Sequence, residues 1–411
     1  MHRIRTHCRA CGADRLTCFL SLGPQPLANA NLRDISDAGD ELTFPLDVYF
    51  CETCSLVQLV DVIDPELLFR NYIYVTGTSE TIAAHNIAYA RTVSDLLGLT
   101  ADDLVVEVAS NDGSLLTRFR DLGVRTLGVE PALNIAEIAR GHGIESVGEF
   151  FDGATGAALR EARGPARAVI GNNVLAHVDD TQDFLRGAKA LIDGDGLVIV
   201  EVPYARTMLE RLEYDTVYHE HLCYFSITSL MRLCEAVGLT VVRVDQVSVH
   251  GGSIRVYAGL RERYGEVGAD VRALADAERE SGLTSLARWQ QFARDVATQR
   301  AQLRDLLERL AGEGRSVAGY GAPAKGNTLL NYCAIGTELV PYTVDRSALK
   351  VGTLTPGMHL PVLPVGTLLE RKPDYVLILA WNFAEEIMRQ QRTYRDAGGQ
   401  FILPVPKPVI I

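Results

Sequence analysis

The sequence predicts an α/β protein with three parts: a small cysteine-bearing N-terminal module, a central doubly wound domain and a Rossmann-like α/β domain at the C-terminus. Strand-like apolar segments alternate with helical ones from about residue 102 to 260 and again after residue 316, as in mainly parallel sheets. Four of the eight cysteines lie in two Cys-x-x-Cys pairs near the start. The 411 residues fit two or three domains of about 100–200 residues. We expect domains at 1–70, 71–265 and 266–411.

The composition is that of a globular protein with an excess of acidic residues. Hydrophobic residues make up 47% and charged residues 22%, and the formal net charge is −12. This charge argues against a nucleic-acid partner, because binding to phosphates requires clustered lysine and arginine. No apolar run reaches the ~18 residues of a membrane span, and the first residues lack the apolar core of a signal peptide. We therefore expect a cytoplasmic protein without a membrane partner.

Two Cys-x-x-Cys pairs predict a metal site in the N-terminal module. Cys8 and Cys11 form the first pair, and Cys51 and Cys54 form the second. Pairs of this type bind tetrahedral zinc through four thiolates, which leaves no open position, so the site should be structural. A redox or disulfide function is the disfavoured alternative. Segments that are typical of strands flank the second pair, and the module is expected to need its metal to fold.

Polar residues follow the ends of four strands predicted in the central domain. They lie at 107–113, at Glu130, at Asn172–Asn173 with His177, and at 201–204. In doubly wound sheets, ligands bind beyond the carboxyl ends of the strands, so these groups should share one rim. The predicted strands of this domain are 104–108, 126–129, 168–171, 196–202, 239–246 and 253–260.

The first of these strands runs into a small polar loop, closed by Gly113, before a helix that begins near Ser114. Small residues let backbone N–H groups approach a ligand closely. The next strand ends in Glu130, which can accept both hydroxyl groups of a ribose, as in dinucleotide folds. The glycines of a dinucleotide fingerprint and the lysine of a P-loop are missing.

This combination favours a nucleoside ligand without a pyrophosphate, and S-adenosylmethionine (SAM) is the natural candidate. An ordinary crossover that binds nothing is the alternative. The residues predicted to bind SAM are Glu107, Ala109, Asn111, Gly113, Ser114, Glu130, Pro131 and Asn172.

The C-terminal part begins with a helical stretch at 270–313, where apolar residues recur at spacings of three and four. A strand at 316–320 then leads into the glycine-bearing loop 321–327, which places Lys325 at the start of a helix. Such a loop can bind an anion, and plain tight packing is an equally weighted alternative. Further strands are predicted near 339–344 and 375–380.

Candidate catalytic groups are concentrated between residues 214 and 225. Tyr218, His219, Glu220 and His221 supply a phenol, a carboxylate and two imidazoles. The spacing of the histidines does not match the helical His-x-x-x-His of zinc hydrolases, which disfavours a metal cluster. Histidine titrates near neutrality and an adjacent carboxylate can orient it, so acid–base chemistry is the favoured interpretation. The alternative is a polar turn whose histidines cap a helix.

Together these motifs resemble those of the SAM-dependent sugar C-methyltransferases that branch the deoxysugars of antibiotics. The resemblance covers essentially the full length, since all the motifs occur in one order. They are the four cysteines, Pro26-Leu27-Ala28-Asn29, Glu107-x-Ala109-Ser110-Asn111-Asp112-Gly113, Tyr218-His219-Glu220-His221, His250-Gly251-Gly252-Ser253-x-Arg255 and Gly319-Tyr320-Gly321-Ala322-x-x-Lys325-Gly326-Asn327. It implies an enzyme that transfers methyl from SAM to C-3 of a dTDP-linked 4-keto-2,6-dideoxyhexose.

The resemblance also implies roles for individual residues. His221 would be the base that removes the C-3 proton, which the C-4 ketone acidifies, and His219 is the alternative base. Glu220 and Tyr218 would orient the base or hold the enolate oxygen. Further contacts to the sugar would come from Tyr72, Asn173 and His177. The nucleotide diphosphate would be bound by Arg255, Lys325 and Asn327.

Two other classes of enzyme are weighed against this one. The first transfers methyl to an oxygen or nitrogen of a nucleotide sugar. The second is a nicotinamide-dependent sugar-nucleotide enzyme. We expect a monomer, with a dimer as the alternative.

Overall fold

A computed structural model describes residues 2–69, 80–247 and 251–411. The elements of the N-terminal module are β1 (His2–Ile4), β2 (Leu16–Pro26), β3 (Thr43–Cys51), β4 (Val57–Leu59), β5 (Asp61–Ile63) and α1 (Pro65–Phe69). β2, β3 and β4 are consecutive antiparallel neighbours, and β1 pairs with β5. β3 and β4 flank the second Cys-x-x-Cys pair, as predicted.

The central part alternates strands and helices. Its elements are α2 (Glu80–Leu97), β6 (Leu104–Val108), α3 (Ser114–Asp121), β7 (Arg125–Val129), α4 (Leu133–Gly141), β8 (Ser146–Val147), α5 (Gly153–Arg163), β9 (Ala166–Asn172), α6 (Thr181–Leu191), β10 (Ile192–Pro203), α7 (Ala205–Arg211), β11 (Cys223–Tyr224), α8 (Ile227–Ala236), β12 (Leu239–Val247), β13 (Ser253–Leu260) and α9 (Arg261–Tyr264). β11 pairs with β4 and so joins the sheet of the N-terminal module.

The central sheet has seven strands in the order β12-β13-β10-β9-β6-β7-β8. The strands from β10 to β8 are parallel, and β13 runs antiparallel to both of its neighbours. Successive residues of β6 pack in different hydrophobic clusters, since Val105 belongs to one and Val106 to the other. β9 and β10 alternate in the same way, so both faces of the sheet are buried. The predicted fold class is confirmed.

The C-terminal part is a second α/β unit preceded by two helices. Its elements are α10 (Ala269–Glu280), α11 (Leu286–Gly312), β14 (Val317–Tyr320), α12 (Ala324–Cys333), β15 (Thr343–Asp345), β16 (Val362–Pro364), α13 (Thr367–Arg371), β17 (Tyr375–Ile378), α14 (Ala384–Gln390), α15 (Arg392–Asp396), β18 (Gln400–Leu403) and β19 (Val409–Ile410). The sheet order is β16-β15-β14-β17-β18-β19, with only the last pair antiparallel. Across the described ranges, no helix is long and apolar enough to cross a membrane.

Two predictions for this part are wrong in detail. The stretch 270–313 is two helices, because the chain turns between α10 and α11 at Gly282, whose φ is 79°. The strand predicted at 339–344 begins only at Thr343, since Pro341 has no N–H for a strand ladder.

The N-terminal module contacts the C-terminal unit through residues 27–32, which we call the module strap. The N–H of Leu32 donates to the carbonyl of Leu354 over 3.1 Å, and the N–H of Leu354 donates back over 2.8 Å. The side-chain amide of Asn327 donates to the carbonyl of Ala28 over 2.7 Å. The module is therefore part of a continuous packed molecule.

Candidate active site

The four predicted zinc ligands converge in the N-terminal module. The Sγ atoms of Cys8 and Cys54 are 3.5 Å apart. Those of Cys11 and Cys51 are 3.6 Å apart, and all four lie within 4.8 Å of one another. Four sulfurs at about 2.3 Å from a tetrahedral zinc ion are about 3.8 Å apart, so the cluster fits the ion. In both pairs the carbonyl of the first cysteine accepts an N–H from four positions later, which closes the turn.

The loop between β6 and α3 has a strained backbone. Ala109, Asn111 and Gly113 have φ angles of 54°, 49° and 73°. For an alanine this left-handed conformation costs about 1–2 kcal/mol. At Gly113 an added Cβ would also lie 3.0 Å from a side-chain carbon of Ile144, so the position requires glycine. Strain of this kind is concentrated at ligand sites, where the surrounding structure enforces it.

Two buried carboxyl groups flank this loop. Glu130 accepts the N–H of Asn111 over 2.9 Å and that of Ala132 over 2.8 Å, and burial raises its pKa. Glu107 accepts from Asn172 over 3.4 Å, while its Oε2 has no hydrogen-bond partner among the described residues. Burial raises the pKa of Glu107 well above its usual range. A cationic ligand would favour the ionised form, and SAM, with its sulfonium and ammonium groups, fits this requirement.

The eight residues predicted to bind SAM lie at the carboxyl ends of the adjacent strands β7, β6 and β9. Helix α2 contacts the same rim. Asn86 donates to the hydroxyl of Ser114 over 3.2 Å, and the hydroxyl of Tyr89 donates to Asn172 over 3.1 Å. These two contacts fix side chains on both sides of the loop.

Arg255 is committed to an ion pair on the central sheet. Its guanidinium donates to Glu201 over 2.9 and 2.7 Å and lies 3.3 Å from the centre of the Tyr89 ring. His85 is 3.1 Å from the same carboxylate. Burial would raise the pKa of Glu201, but His85 and Arg255 outweigh it and lower that pKa. One edge of the Arg255 guanidinium thus pairs with Glu201 and one face lies over the Tyr89 ring, and its role in binding the diphosphate stays a prediction.

Tyr218 and His221 form a hydrogen-bonded pair. Nδ1 of His221 is 2.8 Å from the carbonyl oxygen of Thr216. Because a carbonyl only accepts, Nδ1 carries the hydrogen and Nε2 is an acceptor. The hydroxyl of Tyr218 donates to Nε2 over 2.7 Å. The ring of His177 lies edge-on to His221 at 4.8 Å, and burial lowers the pKa of His177 to about 4, which keeps it neutral.

His219 and Glu220 have different surroundings from this pair. Nε2 of the buried His219 is 3.1 Å from the carbonyl oxygen of Pro45, and burial lowers its pKa. The carboxyl group of Glu220 accepts from the side-chain amide of Asn29 over 2.7 Å, and burial raises its pKa to about 7. Tyr72, another predicted contact, lies outside the described residues.

Lys325 and Asn327 are engaged within the protein. Nζ of Lys325 lies 4.5 Å from the centre of the Trp381 ring, and its charged neighbours are Glu213 and Asp215. Burial raises the pKa of Glu213 to about 7 and that of Asp215 to about 6. When ionised, these carboxyl groups would repel a diphosphate, and Asn327 already donates to the module strap. These contacts favour the tight-packing alternative for this loop, and its role in binding an anion stays a prediction.

Sequence reasoning assigned no role to Asn29, His85 or Lys350. Asn29 ends the Pro26–Asn29 motif, but its partner Glu220 is 191 residues away in the chain. His85 and Tyr89 are one helical turn apart on α2, which precedes β6. This spacing places both side chains on one face of the helix, and it is the sequence signal that indicates a shared role. Lys350 gave no local signal, because its acidic neighbours come from other elements.

A corner suited to a cationic nucleoside, close to a histidine that can accept a proton, is expected of a SAM-dependent methyltransferase. Family models match in the same order: a zinc binding domain at 8–69, a methyltransferase domain at 83–244 and a C-methyltransferase C-terminal domain at 248–406. The C-methyltransferase NovU of Streptomyces niveus is 40% identical over 404 residues, which is 98% of this chain and 96% of that relative. The chain belongs to this C-methyltransferase family, uses SAM and binds one structural zinc ion.

Solved structures match over less than half of the chain. The SAM-bound magnesium protoporphyrin IX methyltransferase of Synechocystis is 15% identical and covers 48% of this chain and 98% of its own, with a TM-score of 0.34. A SAM-dependent methyltransferase of Clostridium acetobutylicum is 10% identical and covers 42% and 90%, also with a TM-score of 0.34. Similarity at this level has no bearing on the chemistry of the site.

Proposed function

We propose that this enzyme transfers the methyl group of SAM to C-3 of a dTDP-linked 4-keto-2,6-dideoxyhexose. The support is the set of motifs that resemble the sugar C-methyltransferases, together with a proton acceptor that needs no catalytic metal. In such a sugar the C-4 ketone acidifies the hydrogen on C-3, so one base can remove it. SAM supplies the methyl group to the carbon nucleophile that results.

The Tyr218–His221 pair is the observation that carries this proposal. The hydrogen bond from Nδ1 to Thr216 keeps Nε2 of His221 as the acceptor. The C-3 proton passes to Nε2, and the electrons of the C–H bond form the C-3–C-4 double bond of an enolate. Because Nε2 has a single lone pair, the Tyr218 hydroxyl must turn away from it before the C-3 proton is transferred. That hydroxyl is then available to donate to the C-4 oxygen as it becomes the enolate oxygen. One such donor can contribute about 3 kcal/mol.

The remaining groups of the rim would bind the two reactants. Glu130 would accept the ribose hydroxyls, and Glu107 would face the cationic end of the cofactor. Asn173, with a left-handed φ of 52° directly after β9, and the neutral His177 would contact the sugar. Because β9 is the neighbour of β6 in the sheet, both binding regions lie at one rim, as in-line transfer requires.

Mass spectrometry of the enzyme with SAM and the sugar nucleotide in deuterated water tests the proposal. We expect a gain of one methyl group on carbon, and deuterium at C-3 when SAM is omitted. His221→Gln should lose both signals by about 100-fold or more, since that is the scale of general-base catalysis. SAM affinity, measured by calorimetry, should change only a few-fold. His219→Gln is the matched control and should retain both signals.

Two results would contradict this assignment. A product methylated on oxygen or nitrogen would show that C-3 is not the methyl acceptor. Undiminished exchange in His221→Gln, with loss in His219→Gln, would move the base to His219.

A further inference from the structure

We infer that Asn29 is a positioning residue for Glu220, so that the N-terminal zinc module builds part of the active site. The inference rests on the proposed function, because Glu220 adjoins the proposed base. The contact itself is direct: Nδ2 of Asn29 donates to Oε1 of Glu220 over 2.7 Å. Glu220 is only 4% exposed, so no water competes freely for this carboxyl group.

The residue Glu220 is held from two sides. Its side chain accepts from Asn29, and its backbone lies near enough to the ring of His177 to affect the pKa of that histidine. The next residue but one, Leu222, donates its N–H to the carbonyl of Ala176 over 2.7 Å. Leu222 also accepts the N–H of Leu59 over 3.0 Å, so the backbone beside Glu220 is held by both the central domain and the N-terminal module. The direction of the carboxyl group depends on Asn29 of the module.

Asn29 is itself fixed by its neighbours in the module strap. Asn327, which is 1% exposed, donates to the carbonyl of the preceding residue, Ala28. On the other side, two backbone hydrogen bonds join Leu32 to Leu354 over 3.1 and 2.8 Å. They do not depend on the side chain of Asn31, which donates separately to the hydroxyl of Thr353 over 3.0 Å. Anchors before and after Asn29 hold its amide in one place, which is the preorganisation that a catalytic carboxyl group requires.

The contact also affects the charge of Glu220. Burial favours the neutral acid, whereas the amide donor and the nearby ammonium of Lys350 favour the carboxylate. Among the residues that the structure describes, Asn29 and Lys350 are the side chains that act on this pKa, and His177 beside the group is neutral at physiological pH. Removing the Asn29 amide should therefore shift the protonation midpoint of Glu220 upward.

The test compares Asn29→Ala with Asn31→Ala, a matched variant that loses an asparagine hydrogen bond from the same strap without touching Glu220. Infrared difference spectra of the substrate-free enzyme, recorded against pH, follow the protonated carboxyl band, which Glu220→Gln identifies. We expect a midpoint higher by about one pH unit in Asn29→Ala and an unchanged midpoint in Asn31→Ala. An unmoved midpoint in Asn29→Ala would overturn the inference.

Turnover provides the second readout. At its pH maximum, kcat of Asn29→Ala should fall tenfold or more, with KM for SAM within threefold of the parent, and Asn31→Ala should retain its kcat. In a Glu220→Gln background, Asn29→Ala should cause no further loss, since it acts through Glu220. A full additional loss, or an equal loss in Asn31→Ala, would overturn the positioning role.

The two readouts separate this inference from the proposed function. If the wild-type enzyme shows neither exchange nor methylation at C-3, the proposed function fails. The infrared midpoint, which needs no substrate, then decides alone whether Asn29 controls Glu220.

Discussion

The molecule contains two strand–loop–helix corners with the same hydrogen-bond scheme. In the central domain, Glu130 accepts the N–H of Asn111 and, two residues beyond itself, that of Ala132. In the C-terminal domain, Asp345 accepts the N–H of Ala322 over 2.7 Å and, two residues on, that of Ser347 over 2.7 Å. Each acid follows or ends the second strand of its crossover, so the local fold is repeated.

The two corners differ in what balances the acid. Lys350 lies beside Asp345 and donates to the carbonyl of Ala322 over 2.7 Å, which places a cation within the C-terminal corner. At Glu130, no charged side chain among the described residues contributes to its pKa. The central corner also has left-handed residues at three alternate positions, 109, 111 and 113, whereas Gly321 is the one such residue described in the loop of the C-terminal corner. We therefore expect the ligand at the central corner, where no cation among the described residues balances the acid.

The largest expected effect comes from removing zinc, which should disturb one corner and spare the other. A chelator should unfold the N-terminal module, because four thiolates without their ion cannot hold the two turns together. Release of the module strap should raise amide hydrogen exchange in 322–333 and 353–357. Exchange in 109–116 and SAM affinity should stay within a few-fold, while methyl transfer falls at least tenfold because Glu220 loses Asn29.

Added zinc provides the control for this experiment. It should restore the exchange pattern and turnover, and magnesium should not, since thiolates favour the softer ion. A module that remains protected from exchange without metal would show that the cysteine cluster is not its stabilising centre.

What the sequence predicted depends on the range of the interactions involved. The strands 104–108 and 253–260 have the predicted bounds, because their apolar patterns are local. The surroundings of Lys325 could not be predicted, for the opposite reason. Its acidic neighbours Glu213 and Asp215 are more than a hundred residues earlier, and only the tertiary fold brings them to α12.

Replacing Glu130 and Asp345 by alanine should affect different properties of the enzyme. Glu130→Ala should weaken SAM binding about 100-fold, since charged hydrogen bonds to the ribose are worth roughly 1.5–3 kcal/mol each. Asp345→Ala should leave SAM affinity unchanged and lower the free energy of unfolding by about 2 kcal/mol, because the largely buried Lys350 loses its partner. Calorimetric titration and thermal unfolding measure the two effects.

Asp345→Asn provides a control of nearly the same shape. Its amide oxygen can still accept from one of the two N–H groups, but the charge and the second acceptor are lost, so it should also destabilise the enzyme without affecting SAM affinity. If Asp345→Ala weakens SAM binding as much as Glu130→Ala does, SAM binding does not depend specifically on the central corner.

The smallest effect concerns the charge of Glu107 in the central corner. Burial raises its pKa, so the folded chain keeps a proton that the unfolded chain has lost, and stability falls as pH rises above the unfolded value of about 4.3. Glu107→Gln removes this penalty and should raise the Tm of the SAM-free enzyme by a few degrees at pH 8, and by less at pH 5.5. With saturating SAM the order should reverse, because only the wild-type carboxylate can pair with the cationic ligand. Calorimetric scans at both pH values, with and without SAM, measure these differences in Tm. If the variant is no more stable than the wild type at pH 8 without SAM, the ionised carboxylate of Glu107 does not destabilise the folded enzyme.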